Sequence, residues 1–397
     1  MYKILTGKSV SAGTESQNKI LIVDGDKIIK TGGSELAGEY SSARTVDLRG
    51  FTTIPGLIDT HVHGGNGHDA MDGTFDAING MSLYKIKEGV TSFVPTTVTA
   101  SSEMTRAAVN GVKEAIVRGV GGAKAIGIFL EGPYINPKNK GAHPQEYIKE
   151  VCLEEIKSLA REALAAVSPG NEKRVVSFAI APELPNALEA IKMLRGMGVQ
   201  VRVGHSSATL DQSDAGVSAG ASTAIHTYNA MSALNHREPG MVGSVLTNKN
   251  LYGEIIADLV HIHAKGVRIV ADAKGPDKTI LITDCMRAGG LPDGEYALGE
   301  LPVIVKNNVA RLADGSLAGS TATLIGCVKN MREAVGIPLA DAVSMATSAP
   351  AESLGLYGEI GSLDAGKKAD VAAMDECFNI KFAMVDGEVK IGKELIE

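Results

Sequence analysis

A chain of 397 residues is long for one minimal domain and short for three, and it divides naturally into one large barrel and a small satellite. A formal charge of -7, an aromatic content of 4% and no tryptophan speak against nucleic acid, which wants a basic face and stacking platforms. Four scattered cysteines without a CxxC pair speak against disulfides and thiolate zinc knuckles; with no apolar leader and no run of about 18 apolar residues, a cytoplasmic protein off the membrane is expected.

Residues 1–52 alternate apolar and polar positions, and ILIVDGDKIIKTG reads as two strands around an Asp24-Gly25 turn. From there the rhythm changes to short apolar runs separated by amphipathic stretches. Eight runs read as strands, at 53–60, 91–97, 125–131, 175–182, 199–205, 222–227, 253–259 and 279–284. Between them lie helical segments such as 153–167 and 186–198. This is the pattern of βα units around a parallel sheet, and eight of them fit a (β/α)8 TIM barrel of the α/β class better than an open sheet. The last forty residues return to short strands, with a second turn at Asp386-Gly387. The expected division is therefore 1–52 and 358–397 as two parts of one small β-sandwich, or as separate hairpins, flanking a barrel over 53–357.

Reactive groups of such barrels come from the C-terminal ends of the strands. His61 and His63 follow the first expected strand, Glu131 closes the third and His205 the fifth. His226 lies in the sixth, His261 just after the seventh, and Asp284 ends the eighth. On a regular strand His61 and His63 point the same way. Neutral imidazole is a ligand for zinc or iron, and single histidines plus a carboxylate complete a catalytic set. An isolated HxH more often hydrogen-bonds to loops; here the later histidines and acids favour metal.

PGLIDTHVHGG resembles the first-strand motif of the amidohydrolase superfamily. LEGPYINPKNKGAH, VGHSSAT, HTYNAMSALNHREPG, ADLVHIH and TDCM, in that order, resemble the N-acetylglucosamine-6-phosphate deacetylase family through nearly all of the chain. The resemblance implies hydrolysis of the acetamide of that sugar phosphate. No lysine ends a strand where related enzymes use a carboxylated one. Glu131, His205 and His226 are implied to hold a primary divalent metal, zinc or else iron. Some members lack the HxH pair; its presence here makes a second metal beside Glu131 an option.

Asp284 is the expected general acid and base, or otherwise a carboxylate that orients a ligand. His261 is expected to polarise the acetyl carbonyl, or to cap its loop. The resemblance places Ala142 and His143 at the sugar, with His143 equally readable as structural; Asn229 and Ala230, in the loop that carries Arg237, are expected to add an amide or backbone N–H beside it. Arg237 offers a guanidinium to the phosphate, unless it is simply solvated. Leu317, Ala318, Gly319 and Ser320 resemble a further sugar-contacting turn. Cys285 is expected to pack, and His68, His236, His263, Lys138 and Lys140 to be structural or solvated. A homodimer is implied by resemblance. The competing readings are an N-acetylgalactosamine-6-phosphate deacetylase, a non-catalytic metal-binding barrel, and a nucleoside deaminase, whose catalytic glutamate setting LEGPY does not resemble.

Overall fold

The computed structural model describes residues 1–168 and 173–397. Eight strands build the barrel: β1 (Leu57–Val62), β2 (Val90–Thr97), β3 (Gly127–Leu130), β4 (Val175–Ala179), β5 (Gln200–Val203), β6 (Thr223–Ala224), β7 (Tyr252–Ile256) and β8 (Thr279–Ile282). Each pairs in parallel with the next. All of their residues but Gln200 are buried, which is why they read as apolar runs: both faces of a parallel sheet are covered. Helices cross back outside it. That over Leu153–Val167 buries Ile156, Leu159, Ala160, Ala163 and Val167, a stripe at helical spacing.

The ladder between β8 and β1 is missing, and other groups close the seam. At the mouth, the Asp284 N–H donates to His61 O and the His63 N–H to Cys285 O, both at 2.9 Å. Beside them the Thr283 hydroxyl donates to Asp59 at 2.6 Å. At the base, the chain after the helix Leu339–Ser344 wedges in: Ile58 N–H donates to Ala346 O and Leu281 N–H to Met345 O.

Strands from both termini join one eight-stranded sheet in which Arg44–Pro55 lies between Tyr2–Ser11 and Val371–Met374. The expected first barrel strand is split between the two sheets. Residues 53–55 belong to the terminal sheet, and β1 starts only after Gly56, where any Cβ would collide with the Thr91 side chain. At Asp386-Gly387 both residues have positive φ (47° and 77°), as a two-residue hairpin turn requires. The first hairpin turns one residue later than expected, on Gly25 and Asp26, because Asp24 still pairs with Lys27.

A three-stranded meander over Gly294–Leu298, Leu301–Lys306 and Val309–Arg311 interrupts the chain between β8 and its helix Leu324–Asn330. It packs Leu298, Val303 and Val305 against Ala142, Met286 and Ala318, forming a wall beside the mouth of the barrel.

Barrel and terminal sheet are tied by Lys124, whose Nζ lies 3.0 Å from Asp370 and 2.6 Å from Asp386. Asp370 is almost fully buried. Removing its cation leaves that carboxylate only the Asp386 N–H at 2.9 Å, so Lys124→Met is expected to cost about 3 kcal/mol in urea unfolding. A loss no larger than that of an exposed ion pair would show that the tie contributes little.

Candidate active site

The expected strand windows run one to three residues past the ladders at β3 and β5 to β8, and the reactive residues occupy that overhang. His205, His226 and Asp284 each follow a strand with φ of 46°, 30° and 50°. A left-handed backbone is rare for such residues. It swings each side chain out of the pleat and over the axis of the barrel.

There they meet Glu131. Its Oε1 lies 3.2 Å from both His205 Nε2 and His226 Nε2, and its Oε2 lies 3.4 Å from His61 Nε2 and 3.2 Å from His63 Nε2. Asp284 Oδ1 is 3.1 Å from His63 Nε2 and 3.5 Å from His61 Nε2. Two sets of three donors result, Glu131-His205-His226 and His61-His63-Asp284, each within 4.8 Å, and all six side chains are buried.

The outer ring nitrogens decide what the inner ones can do. His63 Nδ1 faces Thr96 O at 3.2 Å, His205 Nδ1 faces Asn139 O at 2.7 Å and His226 Nδ1 faces Asn229 O at 3.2 Å. His61 Nδ1 faces Glu254 Oε2 at 3.0 Å. Carbonyl and carboxylate oxygens only accept, so each Nδ1 carries a hydrogen and each neutral ring turns its Nε2 lone pair inward. Two such lone pairs, on His205 and His226, stand 3.1 Å apart. Among the described residues His61 Nε2 has no hydrogen-bond partner of good geometry, although Glu131 Oε2 lies 3.4 Å away. A divalent cation fits this donor set, because it satisfies convergent lone pairs that the protein leaves unmatched.

Electrostatics agree. Burial opposes ionisation of Glu131, but His61, His205 and His226 hold its carboxyl well below the usual range. Burial likewise works against Asp284, yet His61 and His63 bring it down to about 2. Burial disfavours a charge on His63, and the carboxylates of Asp284 and Glu131 outweigh it, pushing His63 up to about 10. Protons trapped between carboxylates and imidazoles are what a bound metal displaces.

His143 is built the other way. The Thr99 N–H donates to its Nδ1 at 3.2 Å, so the neutral ring carries its hydrogen on Nε2 and presents a donor, 3.7 Å from Glu131 Oε2. Burial, then His205, keep it well below the ordinary histidine pKa. His261 donates from Nδ1 to Asp258 Oδ2 at 2.8 Å. Burial disfavours its charge, but the Asp258 carboxylate prevails and raises its pKa.

A cavity of about 280 Å³ opens over this cluster. His143, Asn229, Ala230, His261, Leu317 and Gly319 line it, with Ala142 beside them. Ala318 and Ser320 are buried behind that wall, where the Ser320 hydroxyl donates to Thr283 O at 2.5 Å. Arg237 sits on an exposed loop, its Nη1 3.0 Å from His236 Nε2, and does not line the cavity of its own chain. Burial pushes the Cys285 thiol up to about 12, which leaves it a packing group. His263 caps the helix Ala264–Lys274.

Sequence reasoning passed over Asp258, Glu254, Arg202, Thr99 and Leu298. Asp258 stands three residues before His261 in ADLVHIH and was readable as its partner. Glu254 and Arg202 were visible only as charges inside apolar strands, which are rare unless paired.

A parallel eight-stranded barrel with imidazoles and carboxylates gathered over the C-terminal ends of its strands is the architecture of metal-dependent hydrolases. The chain belongs to the amidohydrolase family, which matches residues 52–390. It is 42% identical to the N-acetylglucosamine-6-phosphate deacetylase of Vibrio furnissii, over 87% of this chain and 85% of that one. It is 43% identical to the N-acetylgalactosamine-6-phosphate deacetylase of Escherichia coli O157:H7, over 84% and 86%. Its fold superimposes with a TM-score of 0.90 on a mutant N-acetyl-D-glucosamine-6-phosphate deacetylase from Mycobacterium smegmatis solved with N-acetyl-D-glucosamine-6-phosphate, at 30% identity and covering 98% and 99% of the chains.

A cation that binds only the folded chain stabilises it by about 2.7 kcal/mol when present at a hundred times its dissociation constant. Calorimetry of chelator-stripped protein should therefore show a melting temperature that rises when zinc or another divalent ion is restored. An unchanged melting temperature would contradict the donor-set argument.

Proposed function

We propose that this chain hydrolyses the acetamide of N-acetylglucosamine-6-phosphate to glucosamine-6-phosphate and acetate in amino-sugar metabolism. The observation that carries the reading is the convergence of four inward Nε2 atoms on Glu131, with Asp284 at the floor of a cavity, in a chain whose relatives bear that name. Glu131, His205 and His226 would hold the primary divalent ion, zinc in our reading. His61 and His63 would hold a second beside Glu131. A cation so placed supplies Lewis acidity and a water acidic enough to ionise near neutral pH.

The remaining steps belong to side chains. Asp284, low in pKa and therefore ionised, takes the proton of the attacking water and passes it to the departing amine, which must leave protonated. His261, held by Asp258, and His143, with its Nε2 hydrogen aimed into the cavity, are donors for the carbonyl oxygen and the sugar. Asn229, Ala230 and the turn at Leu317 to Ser320 border the sugar, and Arg237 takes the phosphate. Because Arg237 lies off its own cavity, we assign the active form to a homodimer in which that loop is shared, and its four free cysteines suit a reducing cytoplasm.

The relative named for N-acetylgalactosamine-6-phosphate supports a second reading, in which the sugar differs at one hydroxyl. Acetate release from the two sugar phosphates decides between them: the higher kcat/KM names the substrate, and no release from either refutes both. Asp284→Asn is expected to lower kcat about 10²-fold or more while leaving the fold intact. Near-normal turnover would move the proton to another group. Loss of a charge-assisted contact costs about 1.5–3 kcal/mol. Arg237→Ala should thus reduce kcat/KM about ten- to a hundredfold for the phosphorylated sugar and hardly at all for N-acetylglucosamine. Equal losses on both would remove Arg237 from the phosphate site.

A further inference from the structure

Three of the four central histidines are anchored through Nδ1 to backbone carbonyls, and His61 alone is anchored to a carboxylate. Glu254 lies inside β7, fully buried, where an acid is costly unless it is paired. Its Oε2 accepts the His61 Nδ1–H at 3.0 Å, while its Oε1 accepts from Arg202 Nη1 at 2.5 Å and from the Thr60 hydroxyl at 3.2 Å. Arg202, from β5, is itself 2% exposed and also donates to Thr60 O at 3.1 Å. Its guanidinium lies 4.3 Å from the centre of the Phe129 ring, which in turn meets the His61 ring edge-on at 5.0 Å. A rigid line of contacts thus crosses the barrel from β5 through β7 to β1 and ends on a single imidazole.

We infer that the Arg202–Glu254 pair is a positioning device for a metal site at His61 and His63, and not for the one at Glu131, His205 and His226. This rests on the metal reading above. The carboxylate fixes the ring orientation and tautomer of His61 and strengthens Nε2 as a donor, as carboxylate partners of ligating histidines do. The His61-His63 set needs such help more than the other. Its second imidazole is anchored by a 3.2 Å contact to Thr96 O, no closer than the one that holds His226 in the other set, and its Asp284 has the competing task of moving a proton. His205, by contrast, is pinned at 2.7 Å to Asn139 O without any charge. Arg202 sets its own charge beside Glu254, whose two oxygens are taken up by Arg202 and Thr60 on one side and His61 on the other.

The test counts metal rather than turnover. Wild-type protein, Glu254→Gln and His61→Ala are stripped with chelator, loaded with excess zinc, desalted and analysed for zinc per chain, with calorimetric titration giving the affinity of each equivalent. Wild type is expected to hold two equivalents and His61→Ala one. Glu254→Gln should lose the same equivalent as His61→Ala, or bind it about 10- to 100-fold more weakly, while the other keeps its affinity. Glutamine leaves Arg202 without its counter-charge and can prevent folding. The double variant Arg202→Leu with Glu254→Leu removes both buried charges and should fold, with the same selective loss. Two equivalents of wild-type affinity in either folded variant would overturn the inference, as would equal weakening of both. A wild type with one equivalent sinks this inference alone, and one with none sinks the metal reading as well.

Discussion

Two carboxylates and four imidazoles share a volume in which none can keep an unshared charge or lone pair. Glu131 touches four histidine nitrogens between 3.2 and 3.4 Å, and no water-filled space separates them. Every outer nitrogen is committed to an oxygen that cannot donate. The inner nitrogens must therefore be satisfied either by extra protons, which burial opposes, or by a cation. The surroundings follow from that constraint: short strands, carbonyls offered by Thr96 near the end of β2, by the turn at Asn139 and by the loop at Asn229, and a buried acid behind His61.

The backbone bends to meet the same demand. A parallel strand alternates its side chains between core and helix layer; His61 reaches the cluster from an inward position within β1, while the other strand ends are held to that alternation. His205, His226 and Asp284 escape by leaving the ladder in left-handed conformation, each just beyond the last paired residue. The seam between β8 and β1 belongs to the same compromise. Asp284 and His61 are joined there backbone to backbone, which sets their side chains side by side over the centre.

Much of this was legible in the sequence, because a covered parallel strand reads as an apolar run and a polar residue at its end stands out. The eight runs, the HxH pair and the three later histidines were visible on those grounds. Later strand ends were overread by up to three residues, since apolar character continues through the overhang where the backbone has already turned; the first was underread by two, because His61 still belongs to β1. The meander over 294–311 was hidden for a different reason: its middle strand alternates exposed and buried positions, but Pro302 and Ile304 at exposed ones erase the polar-apolar pattern, and it packs on loops rather than on the barrel. Glu254 and Arg202 carry no local pattern; they lie far apart in the chain and explain each other only once β5 and β7 close on β1. Arg237 was singled out for its chemistry alone, and its place off the cavity is decided by the tertiary path of its loop.

The terminal sheet has a consequence for how the chain is made. Arg44–Pro55 pairs on one side with Tyr2–Ser11, which is available early, and on the other with Val371–Met374, which pairs from Pro55 to Thr52. The second partner leaves the ribosome some 316 residues after Pro55, the difference between 371 and 55. At synthesis rates of about 5–20 residues per second, that is a delay on the order of 15–60 s. Throughout it the growing polypeptide displays an open β-edge with buried-type residues such as Ile54 on its face, a template for sticking to other nascent chains. Residues 52–55 are thus an identifiable edge at which the growing chain is open to aggregation until residues 371–374 arrive to cover it.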